Sequence, residues 1–306
     1  MESEERVIVC KEPPYNGKWF YVKNGIKRWI TSFDAAKDKG IDISDIEIIS
    51  AEETNKYCTG SHIVKIFESI HEITNYHEAR AYFLKDLIGY GVEFGAATTP
   101  TTVPDNCTVE YADISKTNEG CNSGYNGDFV NVKYFTSLEE MKDINSNSLD
   151  FIINCHVIEH SPRTILAIKN CFDRLKPGGT LFMAVPHMEY TFYSLRPLTT
   201  IKHFVQDYTD YIKERDLLHL VDYWEHRTEY DAKQKGIEAS RMNLFPILDN
   251  FIKGEHIDIH YHTFTEENFT ELLDFFNSNI AKWSKTEIIP RIPFEGSNEF
   301  YVRSTK

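Results

Sequence analysis

Gly91-Val92-Glu93-Phe94-Gly95-Ala96-Ala97 decides the fold of this chain, because an apolar strand runs straight into residues with little or no side chain. A missing side chain lets the backbone turn sharply and lets a ligand approach it closely. Outward from there, Thr108-Val109-Glu110-Tyr111-Ala112 is a second β-like run, and it ends on Asp113, 18 residues after Gly95. In a parallel sheet with helical crossovers this spacing puts a carboxylate at the tip of the neighbouring strand, within reach of ribose hydroxyls. A helix cap or turn acid is the competing reading of Asp113, and the spacing from Gly95 favours the ribose role.

Leu149-Asp150-Phe151-Ile152-Ile153 is a further apolar strand, and it turns polar at Asn154-Cys155-His156. Polar groups at a carboxyl end of this kind face the crevice of an α/β sheet. Ile165, Ile168, Phe172 and Leu175 follow at helical spacing, the helix stops at Lys176-Pro177-Gly178-Gly179, and Thr180 to Val185 is again a strand. The Pro-Gly-Gly turn punctuates and touches no ligand. Between these segments, the Gly/Asn-rich run 118–128 reads as a surface loop, and Phe129 to Tyr134 as the third strand.

Three motifs in order, Val92-Glu93-Phe94-Gly95, His156-Val157-Ile158-Glu159-His160 and Leu175-Lys176-Pro177-Gly178-Gly179, make residues 75–306 resemble the class I S-adenosylmethionine-dependent methyltransferases of the small-molecule, type 11 group. The resemblance implies an α/β fold: a Rossmann-like, seven-stranded, mostly parallel sheet with helices on both faces. It is closed by strands at Lys285 to Ile289 and Glu299 to Arg303, one of them antiparallel. It implies S-adenosylmethionine as cofactor and S-adenosylhomocysteine as product. It further implies that Glu93, Gly95, Ala96 and Ala97 line the methionine and ribose side, that Asp113 holds the ribose hydroxyls, and that Asn154 and His156 sit beside the methionine end. Thr136, within Tyr134-Phe135-Thr136-Ser137, falls where such enzymes contact adenine, commonly through an acid that this chain lacks. The glycine pattern departs as well: Ala97 and Thr99 stand where further glycines are common, and Pro100 follows.

The chain has 306 residues, 41% of them hydrophobic and 13% aromatic, enough for one large domain and a small one. With 33 basic against 47 acidic residues the formal charge is −14, which works against nucleic acid and anionic membranes as partners. No apolar run approaches the roughly 20 residues needed to cross a bilayer, and Met1 to Arg6 lacks the apolar core of a signal peptide. A cytoplasmic protein is expected. Its six cysteines show neither a CxxC pair nor a metal-finger spacing and suit reduced thiols, with Cys155 in the core.

Three regions are expected: an N-terminal module over 1–58, a helical connector over 59–88, and the methyltransferase domain over 89–306 with an insertion at about 188–261. In the module, Trp19 to Lys23 and Ile26 to Ile30 flank Asn24-Gly25, the strongest short hairpin signal. A helix from about Thr31 to Lys39, capped by the hydroxyl of Thr31 or Ser32 and ended by Gly40, and a capping box at Ser50-Ala51-Glu52-Glu53 follow. The module weakly resembles a small domain that accompanies surface-glycan-modifying enzymes; its Trp19, Tyr21, Arg28 and Trp29 are weighed as core ahead of a carbohydrate face. In 60–87, Ile63, Ile66, Phe67, Ile70 and Ile73 recur at three and four residues and predict a helix, with His62, His71 and His77 on its surface. The insertion reads as a cover for the crevice that shapes the acceptor pocket, or equally as padding or a homodimer surface. Thr265 caps a last helix carrying Phe269, Leu272, Leu273 and Phe276.

Methyl transfer from a sulfonium asks the protein to align donor and acceptor and, for a hydroxyl, to remove a proton. His187, His262 and His156 are the candidates, His187 first, against a reading as satisfied loop histidines. His256-Ile257-Asp258-Ile259-His260-Tyr261-His262 would put three imidazoles and a carboxylate on one strand face, yet same-face neighbours lie about 7 Å apart and rarely converge on a metal; no metal set is expected. The function expected is methyl transfer to a small-molecule acceptor, a hydroxyl of a sugar or nucleotide-sugar in surface-polysaccharide biosynthesis. N- or C-methylation of another metabolite, and a non-catalytic scaffold that keeps the fold, stand as the alternatives.

Overall fold

The structure, a computed structural model, describes residues 5–114, 129–212, 216–235, 245–254 and 258–306. The expected loop at 118–128 and His256 fall outside them. The chain divides into two compact units, Met1–Phe135 with Ile292–Gly296, and Thr136–Arg291 with Ser297–Lys306.

In the first unit, the apolar run Val7-Ile8-Val9 lies in strand β1 (Glu5–Cys10) and pairs antiparallel with β2 (Lys18–Lys23). The hairpin from β2 to β3 (Ile26–Trp29) turns through Asn24 and Gly25 at φ 53° and 76°, the paired positive values that a two-residue turn needs. Ser32 caps α1 (Phe33–Asp38), accepting from Ala35 N at 3.1 Å, and Gly40 follows at φ 67°. Two further strands, β4 (Ile46–Ile49) and β5 (Cys58–Thr59), complete a five-stranded sheet ordered β4-β1-β2-β3-β5, so the module is more than a hairpin and helices. Ser50 accepts from Glu53 N at 3.1 Å to cap the single turn α2 (Ala51–Thr54). Lys27 is 2% exposed, and its ammonium donates to Tyr15 Oη and to the carbonyls of Thr54 and Tyr57. Buried charge of this kind survives only when such donors are met.

The helix expected over 60–87 forms only at α3 (Tyr76–Leu84), where Asn75 accepts from Glu78 N. Upstream, the backbone at Ile63 pairs with the Trp29-Ile30 edge instead, so its hydrogen bonds are already spent on the sheet. His62 consequently lies inside: it is 4% exposed, with ring centroids 5.1 Å from Trp29 and 4.8 Å from His77. Burial, helped by the charge of Lys18, lowers its pKa to about 3.

Strands β6 (Gly89–Phe94), β7 (Cys107–Asp113) and β8 (Val132–Phe135) pair parallel in sequence, the last starting three residues later than expected. In the second unit β9 (Leu149–Cys155) leads through α4 (Thr164–Arg174) to β10 (Leu175–Pro186), again parallel. Ile165, Ile168 and Cys171 of α4 are buried. The helix ends one residue earlier than the apolar spacing predicts, because Leu175 already pairs with Leu149; Pro177-Gly178-Gly179 forms a bulge before pairing resumes at Thr180. A Cβ at Gly179 would stand 2.9 Å from Lys176 O and 3.2 Å from Asp150 O. No side chain fits.

The segment after β10 holds α5 (Ile201–Thr209), α6 (Leu217–Lys235) and α7 (Phe245–Lys253), and its two ends meet where His187 and Phe264 form a parallel bridge. Thr265 and Asn268 form a reciprocal capping box on α8 (Glu266–Asn279), which buries Phe269, Leu272, Leu273 and Phe276. Strands β11 (Lys285–Ile289) and β12 (Glu299–Thr305) pair antiparallel, β12 also pairing antiparallel with β10. The large sheet runs β11-β12-β10-β9-β6-β7-β8, the seven-stranded, mostly parallel Rossmann-like arrangement expected. Among the described residues no helix is long and apolar enough to cross a membrane.

Candidate active site

In the first unit the end of β6 builds a tight, side-chain-poor turn. Phe94 pairs with Ala112, and the next amide, Gly95 N, donates to Ala112 O at 3.0 Å, so Gly95 and Asp113 follow paired residues on adjacent strands. Gly95 takes φ 66° and Ala97 φ 47°, while Ala96 and Ala97 are buried. A left-handed alanine costs about 1–2 kcal/mol, so the surroundings hold it there. Two bonds do so: Val130 N donates to Ala97 O and Thr99 N to Ala96 O, both at 2.9 Å.

Glu93 does not line this turn. It is 1% exposed, and both its oxygens accept from Thr101 N, at 3.0 and 3.1 Å, which ties β6 to the loop after it. Burial raises its pKa to about 7, against the pull of Thr101 and of the Arg80 charge. The carboxylate thereby holds the backbone at Thr101 against β6.

In the second unit, Thr136 is buried and accepts from Lys142 N at 2.8 Å, so its hydroxyl shapes a turn. Asn154, at 0% exposure near the carboxyl end of β9, has no hydrogen-bond partner for either side-chain atom among the described residues. An unpaired buried amide costs about 1–3 kcal/mol unless something meets it. Beyond it His156 takes φ 55°; its Nε2 lies 2.8 Å from Glu299 Oε2 and its Nδ1 3.7 Å from Glu159 Oε1. Both carboxylates are buried. A buried acid on one ring nitrogen fixes the tautomer and the orientation of the ring.

The remaining two histidines are placed otherwise than expected. His187 is 7% exposed, with Nε2 2.9 Å from Glu266 Oε2 and Nδ1 accepting from Glu189 N at 3.3 Å. His262 is 0% exposed, with Nδ1 3.1 Å from Thr164 Oγ1 and Nε2 2.8 Å from Asp207 Oδ2, and burial lowers its pKa to about 4 against the pull of Asp207. With both nitrogens on protein partners, neither ring offers a lone pair to an acceptor. Nor do His260 and His262 act as one row: His260 packs on His160, while His262 meets His203, Asp207 and His219. Sequence reading missed Glu299 and that second histidine set; only the i, i+4 spacing of His203 and Asp207 on α5 hinted at the latter.

Residues 88–183 match the model of a methyltransferase domain family. Curated relatives include the ubiquinone biosynthesis O-methyltransferases of Vibrio parahaemolyticus, 21% identical over 138 residues, covering 43% of this chain and 55% of theirs. That of Aliivibrio fischeri strain MJ11 is 21% identical over 132 residues, covering 41% and 53%. The chain thus spans about half the length of the curated relatives it matches. Among solved structures, the CurJ carbon methyltransferase is 13% identical at a TM-score of 0.37, covering 72% of this chain and 48% of that one. A SAM-dependent methyltransferase of Methanosarcina mazei is 14% identical at 0.37, covering 79% and 97%. The methyltransferase match at residues 88–183 and the seven-stranded, mostly parallel Rossmann-like sheet agree with one another.

Proposed function

We propose that this chain, with a methyltransferase domain at residues 88–183, transfers the methyl group of S-adenosylmethionine to a small-molecule acceptor. One observation carries the reading: a left-handed, side-chain-poor turn at Gly95 to Ala97 is hydrogen-bonded to the strand that ends on Asp113. The cofactor supplies an electrophilic methyl group on a sulfonium, and S-adenosylhomocysteine remains after transfer. The residues fit such a group: the turn admits close approach, Asp113 suits the ribose hydroxyls, and the unpartnered amide of Asn154 suits a polar ligand atom. Ala96, Thr136 and His156 complete the proposed donor set, with Glu93 holding the turn. The layout proposed remains a module at 1–58, a connector at 59–88 and the catalytic domain at 89–306.

For the acceptor we favour a hydroxyl oxygen, which the O-methyltransferase names of the curated relatives support. Proton removal falls to His156: Glu299 accepts from Nε2–H, which leaves Nδ1 as the lone pair that takes the hydroxyl proton. The finer reading, a sugar or nucleotide-sugar in surface-polysaccharide biosynthesis, rests on the resemblance of the N-terminal module and of this methyltransferase group to glycan-modifying proteins. Calorimetric titration with S-adenosylmethionine tests the donor site: binding in the micromolar range that Asp113→Ala abolishes is expected, and no binding to the folded protein returns the chain to a non-catalytic role.

A further inference from the structure

His203, Asp207, His219 and His262 come from three separate stretches of the second unit, yet one ligand atom from each lies within 4.8 Å of all the others. His203 and Asp207 stand one turn apart on α5, His219 opens α6, and His262 lies in the segment that returns to the bridge at Phe264. His203 Nε2 is 3.0 Å from His219 Nε2 and 3.2 Å from Asp207 Oδ2; that oxygen is 3.3 Å from His219 Nε2 and 2.8 Å from His262 Nε2. Four ligands at tetrahedral corners about 2.0–2.1 Å from a zinc ion stand about 3.3 Å apart. Four of the six pairwise spacings, at 2.8 to 3.3 Å, are those of a coordination shell, and the other two stay within 4.8 Å.

Hydrogen bonding meets only part of this arrangement: His203 Nε2–H can donate to the His219 Nε2 lone pair at 3.0 Å, yet that same lone pair also faces Asp207 Oδ2 at 3.3 Å. Three ring nitrogens converge on one carboxylate oxygen, and two of them, on His203 and His219, are too close to each other for both to carry a proton toward it. The outer nitrogens deepen the conflict. His219 Nδ1 lies 2.8 Å from Asp216 Oδ2, an acceptor that draws the ring proton to Nδ1 and leaves the Nε2 lone pair facing Asp207. His262 Nδ1 is held by Thr164 Oγ1 at 3.1 Å, and that hydroxyl in turn faces Ser161 O at 3.4 Å. Outer partners of this kind orient metal-bound imidazoles and fix their tautomer. A cation at the centre turns converging lone pairs from repulsion into coordination.

We infer that His203, Asp207, His219 and His262 bind a divalent transition-metal ion, zinc by ligand type, in a four-coordinate site that ties α5 and α6 to the segment returning to the sheet. Three imidazoles and one carboxylate are a ligand set that suits zinc better than the oxygen shells of magnesium or calcium. All four positions are filled by protein, the mark of a structural rather than a catalytic ion. The His203 side chain, 46% exposed, gives the ion its way in, while the other three ligands are buried. This inference does not depend on the methyl-transfer reading, since it concerns the ion alone.

The test uses the full-length, untagged chain. Elemental analysis of the purified protein should find zinc at one equivalent per chain. After chelator stripping, ZnCl₂ titrated against a chromophoric competitor should restore one site, and CoCl₂ should give the intense visible bands of a tetrahedral centre. His203→Ala, chosen because that ring is the most exposed, should weaken zinc binding at least about 100-fold, a loss as large as outer-shell changes alone can cause. To separate lost binding from lost folding, thermal melts are compared: stripped wild type and His203→Ala should melt together, and added zinc should raise only the wild type. A folded, stripped wild type that takes up no zinc overturns the inference, as does wild-type zinc affinity in both His203→Ala and Asp207→Ala.

Discussion

His62 makes this protein acid-sensitive in a way one substitution can isolate. Its folded pKa of about 3 lies far below the value of 6.5 for the unfolded chain. Between those values the unfolded state binds the proton and the folded state does not, so stability falls as pH drops below about 6.5 and the loss is complete near pH 3. At about 1.4 kcal/mol per pKa unit, the loss between pH 7.5 and 5.0 comes to about 2 kcal/mol, and it approaches 5 kcal/mol at the acid limit. In His62→Gln the amide still reaches toward the backbone of Thr98 but does not titrate. Urea unfolding of both proteins at pH 7.5 and 5.0, followed by tryptophan fluorescence, gives the comparison, with Trp29 beside the substituted ring as reporter. Every other titrating group is common to the two proteins and drops out of the difference. The variant should lose about 2 kcal/mol less than wild type on acidification. Equal losses, within about 0.5 kcal/mol, would refute a buried neutral imidazole at this position.

Asp113→Ala should raise the dissociation constant for S-adenosylmethionine about 100-fold or more, since two hydrogen bonds to a charged carboxylate contribute about 1.5–3 kcal/mol each; calorimetry that finds less than a tenfold change removes the ribose role. Glu93→Ala leaves the Thr101 amide without its acceptor and should cost about 1–3 kcal/mol, whereas Glu93→Gln still accepts and should stay within about 1 kcal/mol; urea midpoints decide, and equal costs contradict the loop-holding role. Gly179→Ala drives a methyl group into three carbonyl oxygens and should cost about 1–3 kcal/mol. At Gly178, φ 82° with open space around it, alanine meets only backbone strain of about 1–2 kcal/mol. A Gly178→Ala protein markedly less stable than Gly179→Ala reverses that account.

The parts of the fold that were legible are those whose signals are local. Asn24-Gly25 states its own backbone angles, Thr265 and Ser32 stand where caps are needed, and Gly95 with Asp113 carries a spacing that a crossover geometry requires. The helix expected over 60–87 failed because a three-and-four spacing of isoleucines carries no cap; Asn75 does, and the backbone at Ile63 had a sheet edge available. β1, β4 and β5 draw their meaning from partners up to 40 residues away, so of the module's strands only the tightly linked β2–β3 hairpin was seen. The site divides in the same manner. Strand ends announced Asn154 and His156, but the acid behind His156 lies 143 residues on, at Glu299, and the histidine set of α5 and α6 closes on His262 across 55 residues. His187 and His262 looked available because sequence shows a ring and its ordinary pKa, never the carboxylates already bound to it.

In the large sheet, β12 sits between β10 and β11, although both precede it in the chain. During synthesis, then, Lys285–Ile289 leaves the ribosome with no neighbour to pair with, and Thr180 to Pro186 keeps an open flank until residues 299–305 arrive. A half-built sheet of this kind offers its bare amides and carbonyls to other nascent chains. Premature termination anywhere in 290–298 should therefore yield insoluble product rather than a shorter soluble protein, and holdase chaperones that bind extended apolar segments should raise the recovery of the intact chain.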